Sequence, residues 1–102
     1  MENEQLDLIF KALSDGTRRR IIERLSVQSE QSLFEVCAAS IPEDGVALSR
    51  QTISQHLRVL QEAGLIKTSW KGRTKAHSLN EEAKHKDAIE WLKKYIGSGE
   101  GK

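Results

Sequence analysis

The hydrophobic pattern changes at Gly64, and this change constrains the fold more than any other feature of the chain. Before Gly64, a helix is predicted over about residues 49–64, because apolar residues recur at the spacing of one helix face. They are Ile53, Leu57 and Leu60. After Gly64, residues 65–70 and 75–79 have the composition of two short strands, close enough to form a hairpin. We therefore predict a helix that leads directly into a β-hairpin.

Helical spacing and capping residues predict four further helices. The first covers about residues 3–13, and Asp15 is the N-cap expected for the second. Ser32 and Glu35 have the spacing of a capping box at the start of a short third helix. Asn80 is the N-cap expected for the fifth. The outer side of the second helix is expected to expose Arg18, Arg19 and Arg20.

These elements predict one mainly α-helical domain, with a small β-hairpin, over residues 1–96. Residues 40–48 hold the only proline and read as a loop, and residues 97–102 contain no apolar side chain and are expected to be disordered. The chain has no apolar run of about 20 residues, so no membrane segment is expected. A single cysteine fits a reducing cytoplasm. The chain shows no nucleophile turn, acid–base pair or phosphate-binding glycine loop, so neither an enzyme nor a cofactor is expected.

Positive charge is concentrated in one segment. Residues 50–77 carry six Lys or Arg residues and one acid, Glu62, whereas the whole chain has a net charge of +1. The predicted fourth helix begins this segment and the hairpin completes it. A polyanionic partner would explain the concentration, although an exposed charged face is also common.

The polar face of the fourth helix has the side chains that read DNA. Opposite the apolar stripe lie Gln51, Ser54, Gln55 and Arg58, with Arg50 and Thr52 on the flanks. Glutamine, serine, threonine and arginine hydrogen-bond to base edges and phosphate oxygens. Glu62 is the first acid along this helix, so no carboxylate would repel DNA near its start.

The order of the elements agrees with this interpretation. A short helix followed by one with a polar front is the arrangement of a helix-turn-helix, and the hairpin would form a wing beside it. The wing carries cations at or near its tip: Lys71, Arg73 and Lys75. The alternative, a winged helix that binds a protein, predicts apolar or acidic residues on the front of the fourth helix.

Three segments of the chain resemble the ArsR-type winged-helix repressors of bacteria. They are FKALSDGTRRRIIERL (10–25), LSRQTISQHLRVLQEAGLI (48–66) and SWKGRTKAHSLN (69–80). The resemblance implies a homodimer on double-stranded operator DNA, and an effector, here an unidentified small molecule, that changes DNA affinity. It assigns wing contact to Arg73 and contact with bases or phosphates to Gln51, Thr52, Ser54, Gln55, His56 and Arg58. Gly16 stands where many relatives have a proline.

The fifth helix supports a dimer independently, because its apolar residues are too widely spread to face one core. The resemblance places helices one and five at the interface. The predicted interface residues are Leu6, Ile9, Phe10, Ile89, Trp91, Leu92 and Tyr95. A two-fold axis predicts a roughly palindromic operator with half-sites about one helical turn apart.

A metal- or redox-responsive repressor is the remaining alternative, and it would use Cys37. The metal-sensing relatives carry a Cys-x-Cys pair there, whereas this cysteine is alone among Val36, Ala38 and Ala39. A lone cysteine in such a setting is usually a small packing residue. His85 and Asp87 lack a second histidine for the other metal site of the family. No metal is therefore expected.

Overall fold

The described residues form five helices and one hairpin. The computed structural model describes residues 3–39, 48–81 and 84–96, except for the side chains of residues 3, 84, 85 and 87. The elements in chain order are α1 (Asn3–Leu13), α2 (Gly16–Val27), α3 (Leu33–Ala39), α4 (Arg50–Glu62), β1 (Ile66–Lys71), β2 (Thr74–Leu79) and α5 (Lys84–Tyr95). Most of the expected 40–48 loop and the whole 97–102 tail lie outside the described residues.

The predicted capping residues start α2 and α3. The Asp15 carboxylate accepts a hydrogen bond from the Arg18 amide at 3.2 Å. Ser32 and Glu35 form the reciprocal pair of a capping box: each side chain accepts from the other residue's amide, at 2.9 and 3.1 Å. These bonds satisfy amides that the first turn of a helix leaves without a partner. The junction before α5 lies partly outside the described residues, so the Asn80 cap stays a prediction.

The turn from α4 into the hairpin depends on Gly64. Its φ of 77° is in the left-handed region, where glycine avoids a steric penalty, and the Leu65 amide donates back to the Leu60 carbonyl at 3.0 Å. The strands then pair antiparallel from Ile66 opposite Leu79 to Lys71 opposite Thr74. Each strand extends one residue beyond its predicted end at the tip, which leaves a two-residue turn.

The hairpin is attached to the connection between α2 and α3, a contact that the sequence pattern does not predict. Gln31 and His77 exchange backbone hydrogen bonds of 2.9 and 2.7 Å, and the His77 ring bonds the same Gln31 carbonyl through Nδ1 at 2.9 Å. The Ser78 hydroxyl bonds both Ser29 and the Glu30 amide. The wing is therefore held at its base by the α2–α3 connection as well as by α4.

The core lies where α1, α2 and α4 meet. The predicted stripe of α4 is buried together with apolar residues from every other helix. The most deeply buried large apolar side chains are Ile9, Ile21, Val36, Ile53, Leu60 and Ile66. Because α4 buries this side, its opposite side must face solvent. None of the helices in the described ranges has the length and apolar character needed to cross a membrane.

Candidate DNA-binding surface

The polar face of α4 is exposed as predicted. The side chains of Gln51, Ser54, Gln55 and Arg58 are all exposed, and Arg50 is exposed at the first turn. Ile53 and Leu57, which hold the helix from below, are 1% and 4% exposed. The face therefore stands on a rigid, buried stripe, and its donors and acceptors are free to meet a partner.

The half-buried Thr52 is part of the cap of α4. Its amide donates to the Ser49 hydroxyl oxygen at 3.0 Å, and the Ser49 hydroxyl donates to Thr52 Oγ1 at 2.9 Å. Since Thr52 Oγ1 accepts in this pair, its own proton remains a donor. Thr52 is thus oriented by the cap while it keeps one hydrogen for an outside acceptor.

His56 is held by an arginine from α2. Arg18 Nη1 lies 3.0 Å from His56 Nδ1, and a guanidinium can only donate, so Nδ1 accepts and a neutral ring carries its proton on Nε2. Arg18 also donates to the carbonyls of Ala12 and Lys11, at 2.8 and 3.0 Å. The expectation that Arg18 is a purely outward-facing arginine is therefore wrong, because its side chain joins the end of α1 to α4.

Arg18 also affects the pKa of Asp15. Burial raises the pKa of its carboxyl, but the hydrogen bond from the Arg18 amide and the positive charge of the Arg18 guanidinium outweigh burial. The pKa of Asp15 is therefore below its ordinary value of 3.8. Three consecutive arginines look alike in the sequence, so no sequence signal distinguishes Arg18 as the one that reaches α4.

A groove of about 540 Å³ runs between α3, α4 and the wing, and we call it the basic groove. Its lining is Ser32, Leu33, Phe34, Arg50, Ser54, Leu57, Arg58, Gln61, Arg73, Thr74, Lys75 and His77. It includes four cationic side chains and no carboxylate. Concave surfaces with charge of one sign attract a polyanion strongly. Phe34 and Gln61 also line the groove, although neither was predicted to belong to a DNA-binding surface.

The three cations predicted at the wing tip differ in their surroundings. Gly72, with a φ of 63°, begins the two-residue turn, and this left-handed position suits a glycine. Arg73 and Lys75 are exposed and line the basic groove. Lys71 is exposed too, but its Nζ lies 3.5 Å from a carboxylate oxygen of Glu30. Lys71 is therefore partly neutralised within the chain, unlike Arg73 and Lys75.

The residues predicted for the dimer interface fall into a buried group and an exposed group. Leu6 and Ile9 are 8% and 1% exposed, so the prediction that they form contact surface is wrong: they belong to the core of the single chain. Phe10 is half-buried and meets Trp91 edge to face, with ring centroids 6.2 Å apart. The exposed apolar side chains on α1 and near α5 are Leu8, Ile89, Trp91, Leu92, Tyr95 and Ile96. Leu8 and Ile96 join the predicted set, and α5 indeed turns most of its apolar residues outward.

Cys37 is half-buried and packs against the core, next to buried Val36. Within residues 3–39, 48–81 and 84–96, no three His, Cys, Asp or Glu side chains are grouped closely enough to hold a metal ion. The side chains of His85 and Asp87 are outside this description. The geometry thus gives Cys37 a packing role.

Comparison with known proteins identifies the family of this chain. A family model described as a helix-turn-helix domain matches residues 13–69. The chain is 40% identical to the uncharacterized HTH-type transcriptional regulator YuzN of Bacillus subtilis, over 78% of this chain and 87% of that protein. It is 34% identical to the transcriptional repressor SdpR of the same organism, over 90% of this chain and 93% of the relative.

A solved structure agrees with these sequence relatives. The ArsR-like transcriptional regulator from Rhodococcus sp. RHA1 superimposes with a TM-score of 0.73 at 31% identity, covering 94% of this chain and 82% of that one. The chain belongs to the ArsR-type family of winged helix-turn-helix transcriptional regulators.

Proposed function

We propose that this protein is a homodimeric repressor that binds operator DNA in the cytoplasm, with α4 in the major groove and the wing beside it. The observation that carries the proposal is the surface formed by the polar face of α4 and the basic groove. It combines exposed hydrogen-bond donors with four cations, and no acid lines the groove. Such a surface matches phosphates and base edges rather than an apolar protein partner.

The side chains of α4 take two roles in this proposal. Base edges would be read by Gln51, Ser54, Gln55 and Arg58, which stand on the exposed side of the helix. Phosphates would be held by Arg50, Thr52 and His56, which lie on its flanks. Thr52 and His56 are each oriented by a neighbour and each keep one donor, the hydroxyl proton and the Nε2 proton. Donors fixed in advance lose less side-chain entropy on binding.

The wing would add affinity with little sequence selectivity. Arg73 and Lys75 extend the positive surface beyond α4, and each phosphate that they neutralise releases condensed counterions. Lys71 would contribute less, because Glu30 already offsets part of its charge. The expected order of importance within the wing is Arg73 and Lys75 before Lys71.

A second copy of the chain would cover the exposed apolar side of α5 and the neighbouring Leu8 of α1. A C2 dimer places two copies of α4 on one duplex, which requires a roughly palindromic operator. Repression is the favoured direction because the relative SdpR, which the chain matches over 90% of its length, is named a repressor. A small-molecule effector that lowers DNA affinity completes the proposal.

Selection of genomic fragments by the purified protein tests this function. The wild type should enrich a two-fold symmetric site, and the Gln51→Ala/Gln55→Ala double variant should lose that enrichment while it keeps its fold. Gln28→Ala is the matched control, because Gln28 is an exposed glutamine outside α4. Equal enrichment by wild type and double variant would refute readout by α4, and no enrichment by the wild type would refute the function itself.

A further inference from the structure

Trp70 leaves a large aromatic side chain in water at the tip of the wing. It is 69% exposed and takes part in none of the ring contacts among the described residues. It stands at the end of β1, where the hairpin has left the core. Trp70 therefore adds little to the packing of the isolated chain and presents a large apolar area that a partner could bury.

The strand register places Trp70 directly beside a residue of the basic groove. Trp70 pairs with Lys75, and directly opposed side chains share one face of a hairpin. Lys75 lines the basic groove, so Trp70 lies next to that lining. Lys71, one residue later, falls on the other face and pairs with Glu30.

The surroundings of Trp70 identify the kind of partner. Its nearest exposed neighbours in the hairpin are cationic or small and polar: Ser69, Lys71, Arg73, Thr74 and Lys75. A protein-binding hot spot needs apolar residues around its aromatic anchor to exclude water, and the hairpin tip has none. Proteins that bind the minor groove instead combine cationic side chains with apolar side chains that enter the groove.

We propose that Trp70 contacts the minor groove that flanks each half-site, packing its indole against deoxyribose and base edges beside Arg73. This inference rests on the proposed operator binding, and it assigns the wing an apolar contact in addition to its charges. An apolar contact releases no counterions, so its loss should weaken binding without changing the dependence of affinity on salt.

The experiment compares Trp70→Thr with Arg73→Ala on the selected operator. Threonine is chosen because it keeps strand propensity at an exposed position. We expect Trp70→Thr to lower operator affinity about 10-fold and to leave the slope of log affinity against log salt concentration unchanged. Arg73→Ala should instead reduce the magnitude of that slope by about one. Hydroxyl-radical footprinting should show that Trp70→Thr loses protection in the minor groove flanking the half-sites and keeps it elsewhere. Lys67→Ala, a change at an exposed residue of the same strand, is the control.

A spectroscopic measurement gives a second reading. The chain has two tryptophans, so subtracting the emission of Trp70→Thr from that of the wild type gives the emission of Trp70. Operator addition should shift this emission to shorter wavelength. Unchanged affinity and footprint for Trp70→Thr on an operator that the wild type binds would overturn the Trp70 contact and leave the proposed function intact. Failure of the wild type to select any DNA would overturn both.

Discussion

At the residue scale, Arg18 has the largest influence on the DNA-binding surface without belonging to it. Its guanidinium bonds two carbonyls at the end of α1 and the Nδ1 of His56 in α4, 38 residues away. The contact selects the ring tautomer and restrains the orientation of the ring. In the proposed complex, His56 would therefore meet DNA as a prearranged donor.

Asp15→Ala should lower the free energy of unfolding by about 1 kcal/mol at pH 7, the usual cost of losing an N-cap. The folded state lowers the pKa of Asp15 below 3.8, so its contribution is present above that pH and disappears as pH falls through the folded pKa. The free energies of unfolding of the wild type and of Asp15→Ala, measured with urea at several pH values, should therefore converge below about pH 4. Asp7→Ala, at an exposed position in α1, should show no such convergence. A pH-independent difference would contradict the ionised cap.

Gly16→Pro should raise the free energy of unfolding by about 0.4–1 kcal/mol, because proline restricts the unfolded chain. Gly16 is the first residue of α2, where proline is well tolerated. Asp15 before it has φ −112° and ψ 130°, the extended conformation that a following proline requires. A Cβ at Gly16 would meet only the ends of Arg19 and Arg20, at 3.6 Å or more. Thermal unfolding of this variant beside Gly16→Ala measures the effect, and a lower Tm for the proline variant would contradict it.

At the scale of elements, the wing and α4 are oriented by shared neighbours. The Gln31–His77 pairing holds the base of the wing against the α2–α3 connection, and Gly64 turns α4 directly into β1. The basic groove between them therefore has a defined width. A helix that reads bases and a wing that holds phosphates should nevertheless respond differently to substitution.

Gln55→Ala should cost about 1–3 kcal/mol in operator binding and relax the preference at one base pair, as expected for a lost base contact. Arg73→Ala should weaken binding to all sequences alike and reduce the salt slope by about one. Fluorescence anisotropy at several salt concentrations, on the operator and on scrambled DNA, separates the two effects. Gln28→Ala is again the control. If both variants bound like the wild type, the assignment of α4 and the wing to DNA would be wrong.

At the scale of the whole molecule, one chain leaves an apolar surface on α5 that its own core does not cover. Ile89 and Tyr95 are 45% and 61% exposed, whereas Ala88 between the helices is 5% exposed. Trp91, which is part of this surface, meets Phe10 and so joins α5 to α1. A partner molecule that buried it would bring two copies of α4 onto one operator.

Ile89→Lys should therefore convert the proposed dimer into a monomer. An unpaired charge in an apolar interface costs several kcal/mol, enough to raise the dimer Kd at least about 100-fold. Sedimentation equilibrium measures the mass, and operator affinity should fall in parallel. Val27→Lys is the matched control, because Val27 is 79% exposed on α2 and lies outside the proposed interface. A dimer of unchanged affinity in Ile89→Lys would place the interface elsewhere.

Local chemistry made much of the fold predictable. Ser32 and Glu35 cap each other across three residues, and the Ser49 hydroxyl accepts from the Thr52 amide at the same separation. A periodic stripe in α4 identifies its opposite face equally well, because both faces follow from helix geometry. The exposure of Gln51, Ser54, Gln55 and Arg58 could therefore be predicted without knowledge of the packing.

What the sequence by itself determined are the features that depend on residues a few positions apart: where helices start, the turn at Gly64, and the polar face of α4. Only the tertiary structure decided that Arg18 reaches His56, that Glu30 pairs with Lys71, and that the wing borders a groove. It also separated buried Ile9 from exposed Ile89. The physical reason is that an apolar residue looks the same in the sequence whether its own chain or a partner covers it. Long-range packing alone makes that distinction.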